Sequence, residues 1–525
     1  MADDRRRGLM RAFSANNRTY LLPPLTLIAL LFASQLLALS RFRLDYPVVD
    51  DWRYYFGRYR MPEALSFEWL FRPATDTLHV TGKLLDWLFF RNLSHDYNLL
   101  MTLGFGLFFG GWLLATIALL KATSQDRPVA LLSSLLVLCL ALAGSPYFVT
   151  VSPYQWLEPA IAYHQMLPVL GLTLLGLLCV LDRSRWPRGL APALAVVITL
   201  FSSFVYSSGA VVLVVFGAAV LAVSELTRFA PSELSNSARN LAAIIFVTAA
   251  VVLSLHVLMP MQVHDVNPII DSRRYSVAWP TDASFWKFFI GLFDRAVLST
   301  ASGWIPDLRG SLVALFFALP MFWLPVLIVR DRIAADRRST AIVVTALLAA
   351  VLIYALLVSY GRANFGGRYI PQVDELMRPS MYARNRFFFW WITAFLPLGV
   401  VAWGLALEQS FSRRAVLVSV PILALLLVLP KSQHPESRIS YFQHWSYTTL
   451  YQYDAKELSR LIGDDQKAIE TGIPSDSGVI WSRRLKMPAR EIMFSAQKSG
   501  AKFVDRWGLV QDSSRFKRLP KKGRN

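Results

Sequence analysis

Directly after the first long apolar segment, Tyr20 to Leu39, the chain reads LDYPVVDDWRYY and so sets Asp45, Asp50, Asp51 and Trp52 just outside a run of membrane length. In water an adjacent Asp pair is commonly a solvated turn or a helix cap. Beside a bilayer an ionisable group is costly to place, and a carboxylate there is a candidate base for taking a proton from a hydroxyl. Farther along the same segment stand Arg72, Asp76, His79 and Lys83. If this stretch is helical, Asp76, His79 and Lys83 share one face at spacings of three and four. Such a face could carry a catalytic dyad or one side of a divalent-cation site, although one His and one Asp do not define a metal site.

A third group lies late in the chain, in GRANFGGRYIPQVDELMRPSMYARNRFFFW, with Arg362, Arg368, Arg378, Arg384 and Arg386. Guanidinium forks match phosphate oxygens in a bidentate manner. The alternative for Arg384 and Arg386 is snorkelling at a membrane boundary. Glu158 and His164 flank the start of another apolar run and are either cavity-facing groups or a capped helix start. His264, Asp265, Asp271, Arg273 and Arg274 form a further polar stretch with no motif to define its chemistry.

The elements that must position these groups are membrane helices. Hydrophobic residues make up 54% of the chain, charged residues 17%, and the mean hydropathy is +0.41. These values place it among integral membrane proteins. The apolar stretch after the basic start (Arg5, Arg6, Arg7, Arg11, Arg18) is as long as a span needs and lacks an A-x-A-like exit, so it reads as a retained anchor. Cys139 and Cys179 fall inside apolar segments, which excludes a disulfide framework or a cysteine zinc site. The net charge of +19 sits in short connectors rather than along one soluble face, a topology signal and not a nucleic-acid footprint.

Apolar runs predict eleven spans, near 20–40, 97–120, 128–145, 161–181, 188–204, 207–225, 241–259, 310–329, 341–360, 387–407 and 415–430. Basic connectors alternate between them as the positive-inside rule requires for a cytoplasmic N-terminus, residues 1–19. The region 190–223 is long for one helix and short for two; the polar Ser202 to Gly209 stretch at its middle favours a hairpin. The expected fold is an all-α polytopic membrane domain over 20–430, with long outer loops at 41–96, 261–309 and 361–386. A soluble C-terminal domain, α/β or α, follows over 431–525, and in it Tyr451 to Glu470 reads as an amphipathic helix.

The order of the first loop, an acidic cluster followed by an aromatic-basic stretch and then FRPATDTLHVTGKLLDWLFF, together with the topology, resembles the GT-C superfamily of integral-membrane glycosyltransferases. The resemblance implies transfer of a sugar from a polyprenyl-phosphate-linked donor to a glycan or lipid acceptor of the cell envelope. It places Asp50 and Asp51 where the family holds its base or acceptor-orienting acid. Arg368 beside Tyr369, Tyr382-x-Arg384, Arg386 and Arg72 fall where the carrier phosphate is expected. Trp52, Asp76, His79, Lys83, Glu158, His164, Tyr369 and Tyr382 are the expected substrate contacts. Some family members use a divalent cation, Mg or Mn, for which Asp51 and His79 are the weak candidates here; no metal site is otherwise expected. The expected setting is a bacterial plasma (inner) membrane, with the active face and the C-terminal domain extracytoplasmic and the lipid bilayer as partner.

Two other classes share part of this pattern. A lipid-linked oligosaccharide flippase or other transporter would concentrate charges inside interrupted spans. An O-antigen polymerase or ligase would share the arginine-rich loops without needing the acidic pair. No nucleotide-binding motif and no cytoplasmic domain large enough for a nucleotide sugar is evident in the sequence, which favours a lipid-linked donor.

Overall fold

The computed structural model describes residues 21–34, 36–37, 62, 64–73, 78–92, 97–124, 128–144, 159–183, 186–187, 189–226, 233–262, 277–297, 306–365, 374–384 and 387–407. Asp50, Asp51, Trp52, Asp76, Glu158, Arg368, Tyr369 and Arg386 lie outside them, as do the expected span at 415–430 and the C-terminal domain. His164 and Arg384 are described only as helical backbone.

Among the described residues every regular element is helical. In chain order they are α1 (Leu21–Ser34), α2 (Phe67–Phe71), α3 (Val80–Asn92), α4 (Tyr97–Ser124), α5 (Pro128–Gly144), α6 (Pro159–Val180), α7 (Leu190–Ser203) and α8 (Ser207–Leu226). Then come α9 (Glu233–Gln262), α10 (Ala283–Val297), α11 (Pro306–Val329), α12 (Ala335–Arg362), α13 (Arg378–Arg384) and α14 (Trp390–Leu407). Short 3-10 turns follow α12 at Ala363–Phe365 and precede α14 at Phe387–Phe389.

Among the described residues six helices are long and apolar enough to cross a membrane: Thr102–Ser124, Ser207–Leu226, Ala238–Met259, Leu308–Val329, Ala335–Phe365 and Trp390–Leu407. Shorter apolar helices at Leu21–Ser34, Ala130–Leu142, Gln165–Val180 and Leu190–Ser203 fall on four more of the expected spans. Without a hydrophobic gradient between helix and lipid, such helices associate through close packing. Aromatic side chains supply much of it here. Phe105 and Phe109 stack at 4.5 Å, Trp112 follows at 5.3 Å, and Trp390 of α14 closes on Trp112 at 5.0 Å between ring centroids. Small residues supply the rest: at Gly217 of α8 a Cβ would lie 2.9 Å from the Ala242 carbonyl of α9, so only glycine allows this approach.

Helices also occur where the sequence suggested only long loops. Segment 261–309 contains α10, and 361–386 contains α13. In α10 the residues Phe285, Phe288, Phe289, Leu292, Phe293 and Ala296 recur at spacings of three and four and are all buried. Their burial against α11, α13 and α14 holds α10 in place, and their spacing is that of an amphipathic helix.

Candidate functional site

The region 190–223 is a hairpin of α7 and α8 broken at Phe204–Tyr206. The turn is tight: a Cβ on Gly209 would sit 2.8 Å from the Ser202 carbonyl, two positions on opposite arms. With 14 residues, α7 reaches about 21 Å at the α-helical rise, less than the ~30 Å hydrocarbon thickness. Its tip is therefore set below its neighbours' ends. Gly171 lies against Ser202, well inside α6, and His256 lies against Ser203, before α9 ends at Gln262.

The first loop fills this recess. Ser66 caps α2 by accepting from the Trp69 N–H at 3.2 Å. Phe71 at the other end of α2 meets Phe204 edge-on at 5.8 Å. Leu78 N–H donates to His256 Nδ1 at 3.2 Å, and Thr81 N–H donates to the Phe204 carbonyl at 3.3 Å. His79 meets Tyr206 edge-on at 4.3 Å. Leu85 packs with Leu167 and Val205, and Phe89 lies 6.4 Å from Phe108 of α4.

Lys83 closes the loop on itself. Its Nζ donates to the carbonyls of Trp69, at 2.8 Å, and Arg72, at 2.5 Å, and lies 5.4 Å from the Trp69 ring centroid. The side chain is only 1% exposed. Burial, with the Arg72 guanidinium nearby as a lesser cause, pulls its pKa from 10.5 down to about 7. An amine poised there can both take up and release a proton at neutral pH.

His256 takes its tautomer from its partners. Because Nδ1 accepts from Leu78 N–H, the ring proton belongs to Nε2, which donates to the Ser203 carbonyl at 2.8 Å. The imidazole is thus neutral and joins α9, the hairpin tip and the first loop.

A second group of cations surrounds α10. Ala278 N–H donates to the Tyr360 carbonyl at 2.9 Å, Ser284 Oγ to Asn364 Oδ1 at 3.0 Å, and Lys287 Nζ to the Leu376 carbonyl at 3.0 Å. Arg309 Nε pairs with Asp294 at 3.1 Å, and Arg295 lies 5.6 Å over the Phe389 ring. Arg362 stacks over Phe365 at 5.0 Å and Phe388 at 5.9 Å. Tyr382 is 2% exposed and packs against Phe288 at 5.9 Å between ring centroids.

Of the residues singled out in the sequence, Arg72, His79 and Lys83 come together at the recess. His79 precedes the first residue of α3, so the helical face imagined for Asp76, His79 and Lys83 begins only at Val80. Among the described residues no group of three or more His, Cys, Asp or Glu is placed to hold a metal ion. His256, Tyr206, Lys287, Asp294, Arg295 and Arg309 were not anticipated. For His256 a signal existed: it is an ionisable residue in an otherwise apolar span. No known family, no curated protein and no solved structure matches this chain.

Proposed function

We propose that this chain is a multi-pass membrane glycosyltransferase of the GT-C kind, moving a sugar from a polyprenyl-phosphate donor to an envelope glycan or lipid. The observation that carries the reading is the separation of apolar spans from chemistry. With His256 as an exception, the charged and imidazole groups of the site collect in the long segments between the apolar spans, and the first of these sets His79 and Lys83 at the recess over the hairpin tip, where the Arg72 carbonyl accepts from Lys83.

In this reaction Asp50 or Asp51 takes the proton of the acceptor hydroxyl. The acceptor oxygen forms a bond to the anomeric carbon as the bond from that carbon to the phosphate oxygen breaks, and the carrier phosphate leaves with the electron pair. Because no second carboxylate acts as nucleophile, one displacement inverts the anomeric centre. Arg368, Arg384, Arg386 and Arg72 hold the departing phosphate, where a guanidinium counters the developing charge. Trp52, Asp76, Glu158, His164 and Tyr369 contribute contacts to donor or acceptor. If Asp51 takes part with a divalent cation, the cation adds electrostatic stabilisation at the phosphate.

The same reading gives eleven spans with a cytoplasmic N-terminus in a bacterial inner membrane. Active loops and the 431–525 domain then share the extracytoplasmic side. Mass analysis of lipid-linked saccharides and envelope glycans in a strain lacking the protein tests it. Loss of one glycan with build-up of its lipid-linked donor is expected, restored by the wild-type chain and not by both Asp50→Asn and Asp51→Asn. Full restoration by each of the two variants contradicts the assignment.

A further inference from the structure

The helix α10 lies across the ends of three membrane-length helices. At its start, Ala278 N–H donates to the Tyr360 carbonyl at 2.9 Å and Ser284 Oγ to Asn364 Oδ1 at 3.0 Å, both partners in the last two turns of the span Ala335–Phe365. At its middle it meets Gly310, in the first turn of the span Leu308–Val329, where a Cβ would collide with the Ile290 carbonyl. Near its end the Ala296 carbonyl accepts from Thr393 Oγ1 at 2.9 Å, in the first turn of the span Trp390–Leu407. Span ends lie where hydrocarbon gives way to headgroups, so α10 sits at that level.

The exposed side of this platform is apolar. Trp279 and Leu376 are 57% and 69% exposed, and Trp286 and Met377 are exposed beside them. Two bonds hold the patch together: the Trp286 indole N–H donates to the Pro280 carbonyl at 2.8 Å, and Lys287 Nζ to the Leu376 carbonyl at 3.0 Å. Trp279 meets Tyr360 edge-on at 5.2 Å. On α12, Tyr360 follows the exposed Ile353 and Leu357 at spacings of four and three, so all three share one helix face. The apolar outer face of this span thus leads directly onto Trp279. The charged residues among these positions, Lys287 and Arg378 with Asp282, Asp374 and Glu375, give no excess of positive charge to attract anionic headgroups.

We propose that Trp279, Trp286, Leu376 and Met377 form a membrane-docking surface, seated in the headgroup–acyl boundary of the bilayer by apolar insertion. Tryptophan favours this boundary, because its ring meets acyl chains while its N–H keeps a polar partner. Segments 277–297 and 374–384, which the sequence suggested as parts of outer loops, then form a brim lying in the membrane surface. Docking of this kind depends on the membrane-length helices and not on the proposed sugar transfer.

Spin-label collision measurements on the full-length protein in lipid nanodiscs test this surface. Labels are attached at Trp286→Cys and at Leu376→Cys, with Leu319→Cys at the middle of α11 as the hydrocarbon reference. The wild-type chain, whose Cys139 and Cys179 are buried, is the blank. Both platform labels should collide more with oxygen than with a water-soluble nickel chelate, at a depth of about 5–10 Å into the headgroup–acyl boundary and shallower than the label at 319. Zwitterionic and partly anionic bilayers should give the same depth. Nickel collisions at either position as frequent as for free label in buffer overturn the proposal, as does insertion that requires anionic lipid. Shelter from both reagents also overturns it, since a second copy or another segment of the chain would then cover the patch. Should Trp286→Cys fail to assemble, Met377→Cys takes its place.

Discussion

The recess over the hairpin tip and the α10 platform both gather basic side chains, but the recess ties them to backbone carbonyls and the platform sets them against aromatic rings and a carboxylate. At the recess the polar groups are inside: His79, Lys83, Asp86 and His256 are all at most 3% exposed. Lys83 and His256 there bond to backbone atoms. At the platform the interior is mainly aromatic, its buried charges Asp294 and Arg295 are held by side chains (Arg309 and the Phe389 ring), and the tie of Lys287 to the Leu376 carbonyl lies at the surface. Buried polar ties are costly to break and sensitive to protonation, whereas a surface tie is weak and an aromatic core is indifferent to pH. The two regions should therefore respond to different perturbations.

The largest effect expected from a single truncation is at the platform core. Phe293→Ala removes a fully buried ring that lies 4.8 Å from Phe289 and 5.9 Å from Phe317, and should cost ~3–5 kcal/mol, read as a lower unfolding temperature in detergent. That loss should be the same at pH 6 and pH 9. A strong pH dependence would break the contrast between the regions.

His256→Ala comes next. It leaves Leu78 N–H without its acceptor in a buried seam, at about 1–3 kcal/mol. Exchange protection should fall over Leu78–Asp86 and stay unchanged over α10. Equal loss in both places would mean that the two regions fold as one cooperative unit.

Lys83 sharpens the comparison through pH. Its pKa is depressed in the folded chain, so the unfolded chain binds more protons between about 7 and 10.5, and stability rises with pH through that window and is flat below it. The contribution approaches about 1.4 kcal/mol per pH unit, and Lys83→Met should remove that slope from an unfolding series. A slope unaltered in Lys83→Met places its source elsewhere. Smallest of all is Lys287→Met, expected to cost about 0.5 kcal/mol or less because its tie to the Leu376 carbonyl is exposed.

The apolar spans were legible because membrane length and hydrophobicity are properties of single segments. The same holds for the hairpin, which Ser202 to Gly209 announced through their composition. The amphipathic α10 was equally readable from the spacing of Phe285, Phe288, Phe289, Leu292 and Phe293, but the aromatic and proline content around it suggested a loop. The recess was not legible. It exists because α7 stops at Ser203 while α6 and α9 extend past that level, a relation among three helices that no local pattern carries. His256 accordingly read as one polar residue in an apolar run, and Lys83 as one member of a charged face, until Leu78, Trp69 and Arg72 supplied their partners. Asp50 and Asp51, the strongest sequence candidates, rest on position after the first span alone.

The most direct test of the central reading is reconstitution. Purified full-length protein in proteoliposomes is supplied with polyprenyl-phosphate-linked sugars and an extract of envelope glycolipids, and the released polyprenyl phosphate is measured by mass spectrometry. The account predicts acceptor-dependent release with the wild type and a loss of at least about a hundredfold with Asp50→Asn or Asp51→Asn, the scale of a missing general base. Release that needs no acceptor, or that proceeds at full rate in both variants, contradicts it.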